Sequence, residues 1–273
     1  MKKAVLKFLS FMLLTACVFV LSINSVFSGN SITQDSQRPA KFRFDVLNGY
    51  SVVFQDTTKK QNRHWEILFD GTGDPDEKWR GLNSDSFPSD IWAVENGLLF
   101  IKDHKAGGDI MTREKYSDFV LTFDFKLTYG ANSGIKYFVN YVKNYHFNTM
   151  AWNGPEYQII DDYNHEAIKG RLDDPSSTAA MYLIYSPKNK KLKPAGEWNE
   201  GKIVAKGNHV EHWLNGVKVL SAERGSKDYR DRIALTKFNH YQNYGEEKSG
   251  HIMLTDHDGD KVFYRNIKIM RTN

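Results

Sequence analysis

The chain has 273 residues, with 37 basic and 33 acidic side chains, and 14% of its residues are aromatic. Three of the lysines lie in the first seven residues, so the chain without residues 1–28 carries 34 basic and 33 acidic side chains. This near-neutral balance argues against a nucleic-acid partner, and the remaining length is enough to bury the core of one large domain.

The first predicted element is a signal peptide over residues 1–28. Lysines precede an apolar run from Phe8 to Val20, which is shorter than the roughly 20 residues of a membrane-spanning helix. Cleavage after Ser28 would give a periplasmic or secreted protein. Leu14-Thr15-Ala16-Cys17 supports the alternative of a lipoprotein anchored through Cys17. Cys17 is the only cysteine, so either cleavage leaves a domain without an internal disulfide.

Residues 29–64 are predicted to form an N-terminal arm and a lead-in strand region, followed by one domain over residues 65–273. From Trp65 onward the apolar residues recur with a period of two, most clearly between Phe119 and Leu127. Further strands are predicted at Trp92–Val94, Leu98–Lys102, Gly134–Val139, Tyr182–Tyr185, Lys202–Lys206, Ile252–Thr255 and Val262–Ile269.

Turn residues connect these strands at short intervals. Asn96-Gly97 and Asn215-Gly216 each separate two strand-like segments, which is typical of tight hairpins. Helical periodicity is weak, and its best candidate is a turn or two near Asp228–Leu235. The pattern therefore predicts an all-β fold, a jelly-roll sandwich of two antiparallel sheets.

The segment from Gly154 to Asp161, followed by His165, is the most informative part of the chain. Alternation on a strand places Glu156 and Gln158 on one face and Tyr157 on the other. A carboxylate beside an amide, with an imidazole nearby, suits the binding of a polar ligand and proton transfer on it. The same pattern also fits a solvated face of an antiparallel sheet.

Three other segments could bring polar groups to a ligand. Asn132 opens a strand with small residues, Glu197 stands beside an indole and an amide, and His257 follows a carboxylate at the end of a strand. Carboxylates, amides and aromatic rings together suit sugars, which present both hydroxyl groups and an apolar ring face. Each segment could equally be a turn held by local hydrogen bonds.

Metal-binding motifs are weak in this sequence. Residues 256–260 space three aspartates two apart, as a calcium loop does, but Ile267 stands where such a loop has a glutamate. A hairpin turn is the favoured interpretation. His209 and His212 would point to opposite faces of a strand. No cofactor is indicated, and a divalent metal ion is left open.

Seven segments, in order between Leu68 and Ile269, resemble the 3-keto-disaccharide hydrolase family. They are Leu68-Phe69-Asp70-Gly71, the segment from Trp92 to Leu98, Asn132-Ser133-Gly134-Ile135, the segment from Gly154 to Ile159, the segment from Pro194 to Asn199, the segment from Gly207 to Gly216, and Gly250-His251-Ile252 continuing to Phe263 through Ile269. The resemblance covers most of the chain from Trp65 onward. It implies a concanavalin-like jelly roll with a ligand groove on the concave face, and substrates that are glycosides oxidised to a ketone at C3.

A C3 ketone acidifies the C2 proton, so a base can form an enolate that expels the C1 substituent, and water can then add. Residue chemistry and motif position together make Glu156 the leading base or ligand and His165 a candidate second acid–base group. Gln158, Asn132 and Lys237 would hold hydroxyl groups or the enolate oxygen. Asp161, Glu197 and His257 are further candidates for substrate binding.

The sequence thus favours an exported enzyme that cleaves 3-keto-glycosides by elimination and hydration, with a carbohydrate as partner and no stable membrane span. A non-catalytic carbohydrate-binding module is the alternative, because this fold serves both binding and catalysis. A structural domain at the cell surface is a third hypothesis.

Overall fold

The structure is a computed structural model that describes residues 45–47, 50–52, 64–102, 108–257 and 260–272. The predicted signal peptide and Cys17 lie outside the described residues. Ahead of the main domain, β1 (Asp45–Leu47) and β2 (Tyr50–Val52) form an antiparallel pair in which Asp45 is opposite Val52.

In the described chain the main domain contains fourteen strands, one short α-helix and two 3-10 helices, Pro75–Glu77 and Lys237–His240. The strands are β3 (Trp65–Phe69), β4 (Trp79–Gly81), β5 (Trp92–Glu95), β6 (Leu98–Ile101), β7 (Ile110–Thr112), β8 (Phe119–Leu127), β9 (Asn132–Asn144), β10 (Thr149–Asn153), β11 (Glu156–Ile160), β12 (Asn199–Lys206), β13 (His209–Leu214), β14 (Val217–Glu223), β15 (His251–Asp256) and β16 (Val262–Arg271). The α-helix is α1 (Lys227–Ala234).

These strands form two antiparallel sheets. The six-stranded sheet has the order β10-β9-β15-β7-β4. The sixth strand, β11, pairs with the same edge of β9 as β10 does: β11 lies along the first half of β9 and β10 along the second half. The eight-stranded sheet has the order β14-β13-β12-β8-β16-β6-β5, with β3 also paired to β16. The predicted all-β class is confirmed.

The two sheets pack face to face over an aromatic core. Along β8 the residues alternate between buried and half-buried, as the period of two predicts. Phe123 of this strand meets Tyr157 of β11 edge-on, with ring centroids 5.2 Å apart. Because these two strands belong to different sheets, Tyr157 marks the inner face of the six-stranded sheet.

Both predicted hairpin turns are confirmed. Asn96 and Asn215 have φ of 51° and 48°, and the glycine after each also has a positive φ. This geometry belongs to the two-residue turns that match the twist of the strands. The helix near Asp228 is confirmed as well, and the Ser226 side chain caps it by accepting from the Tyr229 N–H.

The predicted strand at Tyr182–Tyr185 is wrong. The segment is a turn, in which Leu183 has a φ of 62° and Met181 pairs with Tyr185. Met181 also forms a single bridge to Tyr157, so the chain touches the edge of β11 and folds back instead of continuing along it. A run of four mostly apolar residues is too short to distinguish a strand from a turn by its pattern alone.

His212 lies fully buried between the sheets. Its Nδ1–H donates to the Ala179 carbonyl at 3.0 Å, so Nε2 accepts from the Tyr137 hydroxyl at 2.9 Å. Burial lowers the pKa of His212 to about 4, and the hydrogen bond to Ala179 only partly offsets this.

We expect a pH-dependent stability from this histidine. In the unfolded chain the histidine is protonated below about pH 6.5, whereas in the folded chain it is protonated only below about pH 4. The free energy of unfolding therefore decreases as pH falls through this window. The full effect is about 3 kcal/mol. Chemical denaturation at pH 7 and pH 4 should show that His212→Gln loses correspondingly less stability on acidification than wild type. Equal losses in both proteins would contradict the assignment.

Candidate functional site

The site begins with β11, which is buried on both faces. Tyr157 and Ile159 point into the core, so Glu156 and Gln158 lie on the outer face of the six-stranded sheet. The predicted alternation is confirmed. A solvated face would be exposed, yet Glu156 and Gln158 are only 4% and 3% exposed. These polar side chains therefore line a covered site.

Register brings a cation beside the carboxylate. Glu156 is directly opposite Lys136 of β9, and Lys136 is opposite Met253 of β15. Directly opposed residues share a face, with Cβ atoms about 5 Å apart. Lys136, which is half-buried, thus belongs to the surroundings of Glu156, although the two side chains form no ion pair within 4.0 Å. Sequence reasoning missed this residue, because pairing between strands is not visible in a single strand's pattern.

A glycine makes room for the Glu156 side chain. A Cβ on Gly134 would lie 2.1 Å from Glu156 Oε1. The same oxygen accepts from the Thr255 hydroxyl at 3.2 Å. The small residues expected to admit a ligand near Gly134 therefore admit this carboxylate, and Thr255 fixes its orientation.

We expect Gly134→Ala to displace the carboxylate. The added methyl group collides with a side chain that can move, so the loss of stability should stay within about 2 kcal/mol. If Glu156 acts as the base predicted from the sequence, turnover of a 3-keto-glycoside should fall by between 10- and 100-fold, because a catalytic group displaced by about 1 Å can cost 100-fold in rate. Steady-state kinetics and a melting curve test both expectations, and unchanged turnover would contradict them.

An amide pair continues the site along the sheet. Gln158 Nε2 donates to Asn132 Oδ1 at 3.2 Å, so these two predicted residues are brought together. The Asn132 N–H donates to the Asp260 carboxylate at 3.0 Å. Since Asn132 is half-buried, its amide group is available to a polar ligand.

Tyr182 lies at the edge of β11 that faces away from β9, where residues 178–182 bond to the strand. Its N–H donates to the Glu156 carbonyl at 3.0 Å. Burial and the charge of Glu156 raise the pKa of the Tyr182 phenol, whereas the charge of Lys136 lowers it. Lys237 lies at this end of the site too, with Nζ 5.0 Å from the centre of the Tyr182 ring. Sequence reasoning placed Tyr182 on a strand and did not associate it with the site.

His165 lies in the loop that follows β11. Its Nδ1 accepts from the Ala167 N–H at 3.1 Å. In the neutral ring the proton is therefore on Nε2, which can donate it. The carboxylate of Asp161 is buried and accepts from backbone N–H groups, including that of Gly130 at 2.9 Å, so it organises the start of this loop.

The two remaining candidates are exposed. Glu197 lies in the turn before β12, and its N–H donates to the Pro194 carbonyl. His257 follows β15, and its carbonyl accepts from the Asp260 N–H at 3.0 Å. In the described part of the chain, neither side chain is hydrogen-bonded to Glu156 or Gln158.

Two structural findings bear on metals and membranes. Among the described residues, no three histidine, cysteine, aspartate or glutamate side chains converge in an arrangement for a metal ion. Two positions of the calcium-like segment, residues 258–259, lie outside the described ranges. Within those ranges, no helix is long and apolar enough to cross a bilayer.

Proteins recognise sugars with amide and charged side chains, which hydrogen-bond to the hydroxyl groups, and with aromatic rings, which pack on the sugar ring. The two-sheet sandwich and the covered polar face together suit a carbohydrate-active protein. Comparison with known proteins identifies the family.

Residues 64–270 match the 3-keto-alpha-glucoside-1,2-lyase-like domain, and the chain belongs to this family. A 3-keto-disaccharide hydrolase of Bacteroides thetaiotaomicron is 30% identical over 214 residues, which are 70% of this chain and 73% of the relative. The chain is a carbohydrate-active enzyme, as the resemblance implied.

Solved structures of Parabacteroides distasonis proteins classed as glycosyl hydrolases share the fold. One has a TM-score of 0.66 and 31% identity, covering 85% of this chain and all of that one. Another has a TM-score of 0.56 and 26% identity, covering 77% of this chain and all of that one.

Proposed function

We propose that this protein cleaves the glycosidic bond of 3-keto-glycosides, including 3-keto-disaccharides, by elimination followed by hydration. The observation that carries the proposal is the carboxylate of Glu156, held on a covered sheet face with Lys136 directly opposite on the neighbouring strand. A base and a cation side by side suit the removal of a proton next to a ketone, because the charge that develops on the ketone oxygen is stabilised.

In the first step, a Glu156 oxygen takes the C2 proton, and the electrons of the C–H bond move into the enolate. The enolate then re-forms the C3 ketone, a double bond forms between C1 and C2, and the C1–oxygen bond breaks. Water adds to C1 of this enone, C2 takes a proton from solvent, and Glu156 releases the proton it holds to solvent, so the net reaction is hydrolysis.

The neighbouring side chains divide the remaining tasks. Lys136 stabilises the enolate oxygen, while Gln158 and Asn132 bind the sugar hydroxyls. His165, in the loop beyond the Asn132 end of β11, is the second acid–base group, and the leaving oxygen takes its proton from water. Lys237, whose ammonium lies beside the Tyr182 ring, binds a hydroxyl group of the oxidised sugar. Asp161, Glu197 and His257 have no step in this mechanism, and Asp161 shapes the loop that carries His165.

The purified domain tests the proposal directly. Incubation with a 3-keto-disaccharide should release the free monosaccharide and the 3-keto sugar, whereas the parent disaccharide without the ketone should remain intact, because its C2 proton is not acidic. Cleavage of both at similar rates would contradict the mechanism. Saturable binding without product would identify the protein as a binding module.

Export is the second part of the proposal, and the sequence of residues 1–28 supports it. Mass spectrometry of the protein from its native host should find a mature N-terminus at residue 29. A lipid-modified N-terminus at Cys17 would instead show a lipoprotein, and an uncleaved chain would contradict export.

A further inference from the structure

A second cluster lies further along the outer face of the six-stranded sheet. Trp152 of β10 is half-buried and packs on the buried side chains of Met111, Val139 and Met253. Since Met253 is directly opposite Lys136, this cluster and Glu156 lie on the same face. Tyr141 is opposite Trp152 and 54% exposed, so aromatic surface remains open here.

A cation with unused donors borders the indole. The guanidinium carbon of Arg80 lies 5.5 Å from the centre of the Trp152 ring. Arg80 Nη1 donates to the carbonyls of Gly81 at 3.0 Å and Leu82 at 3.4 Å. These are its hydrogen bonds within the described chain, and it has no ion pair there. Its Nε and Nη2 hydrogens are therefore available to a ligand.

The contact between Arg80 and Trp152 shows how the sheet is shaped. Arg80 is on β4 and Trp152 is on β10, with β7, β15 and β9 between them. In a flat sheet, these positions would be about 19 Å apart at about 4.8 Å per strand. Side chains so placed can meet only if the sheet curves toward the outer face, which makes this face a groove.

Glu156 and Trp152 lie at two positions along this groove. Their partners on β9, Lys136 and Tyr141, are five residues apart. At about 3.3 Å per residue, the separation is at most about 16 Å. A substrate that places its oxidised ring at Glu156 can therefore reach Trp152 only if the rest of the molecule is extended.

We propose that Trp152, Tyr141 and Arg80 form a second subsite, which binds a ring in the leaving group of an extended 3-keto-glycoside. The apolar face of the ring stacks on the aromatic side chains, and oxygens at its rim accept from Arg80. A sugar ring and a phenolic ring share this chemistry. The assignment rests on the proposed function, because C1 carries the part of the substrate that continues beyond the oxidised ring.

Kinetics with three 3-keto-glycosides test the subsite: one with a methyl leaving group, one with an oligosaccharide and one with a multi-ring phenol. We expect Trp152→Ala to lower the ratio of kcat/KM for an extended substrate to that for the methyl glycoside by about tenfold. A drop for the oligosaccharide identifies a sugar subsite, and a drop for the phenol alone identifies a phenolic one. Unchanged ratios for both would overturn the proposal.

Two further variants separate binding from folding. Trp213→Ala removes a half-buried indole of the eight-stranded sheet, which lies 3.8 Å below the Lys202 ammonium, and should leave the ratios unchanged. Arg80→Gln keeps the packing of Trp152 and removes charged donors, so it should lower the ratios about fivefold. If Trp152→Ala does not fold, unchanged ratios in Arg80→Gln overturn the proposal.

Binding without turnover distinguishes failure of the subsite from failure of the proposed function. Calorimetry with the unoxidised extended glycosides should give similar affinities for wild type and Glu156→Gln, and about tenfold weaker binding by Trp152→Ala. This result would support the subsite even if no 3-keto-glycoside were cleaved. Equal binding by all three proteins would overturn it.

Discussion

Glu156→Gln is expected to lower kcat on a 3-keto-disaccharide by about 100-fold or more, since general-base catalysis contributes between about 100- and 10,000-fold. Glutamine has the same shape and can still accept from the Thr255 hydroxyl, which lies 3.2 Å from Oε1. It cannot take a proton from C2. The measurement is steady-state product release, together with a melting temperature that shows the fold is intact.

A matched variant controls for the charge change. Glu200→Gln alters an exposed carboxylate on β12 of the eight-stranded sheet, and it should keep wild-type kcat. Wild-type kcat in Glu156→Gln would remove this residue from the mechanism. A loss of stability that accounts for the missing activity would likewise contradict its role as a base.

The second large effect is expected from Lys190→Met. Lys190 Nζ lies 2.5 Å from Asp162 Oδ2, and the two side chains are 3% and 0% exposed. Burial lowers the pKa of Lys190 and raises the pKa of Asp162, while their mutual attraction opposes both shifts. Removing the ammonium leaves a buried carboxylate without its partner, which costs about 3–5 kcal/mol of unfolding free energy.

Chemical denaturation measures this cost against two controls. Lys169→Met breaks the exposed pair with Glu166 and should cost less than about 1 kcal/mol. Combining Asp162→Asn with Lys190→Met removes the stranded charge and keeps an acceptor for the Thr178 N–H, so it should recover most of the loss. If the two single lysine variants were equally stable, the buried pair would not have this role.

Local patterns in the sequence predicted the elements that depend on neighbouring residues. The alternation around Tyr157 gave the faces of β11, and Asn-Gly turns gave two hairpins, because side-chain direction and turn geometry follow from a few adjacent residues. The strand predicted at Tyr182 was wrong because its conformation does not depend on adjacent residues. Its conformation follows from the bridge between Met181 and Tyr157, which are 24 positions apart in the sequence.

The site shows the same division. Glu156, Gln158 and Asn132 were found from their strands, and the structure joins two of them by a hydrogen bond. Lys136 was missed because its place opposite Glu156 depends on the register between strands. The burial of Asp162 with Lys190 was equally invisible, since 28 positions of chain separate the pair. Contacts between residues far apart in the chain cannot be predicted from the local patterns of one sequence.

The position of solvent hydrogen in the product tests the central claim most directly. If the reaction proceeds by elimination and hydration, the 3-keto sugar released in D2O carries deuterium at C2 from the first turnover. Early time points, compared with product incubated alone, separate this from slow exchange next to the ketone. Full incorporation is the result we predict, and early product that retains its original C2 hydrogen would contradict the mechanism.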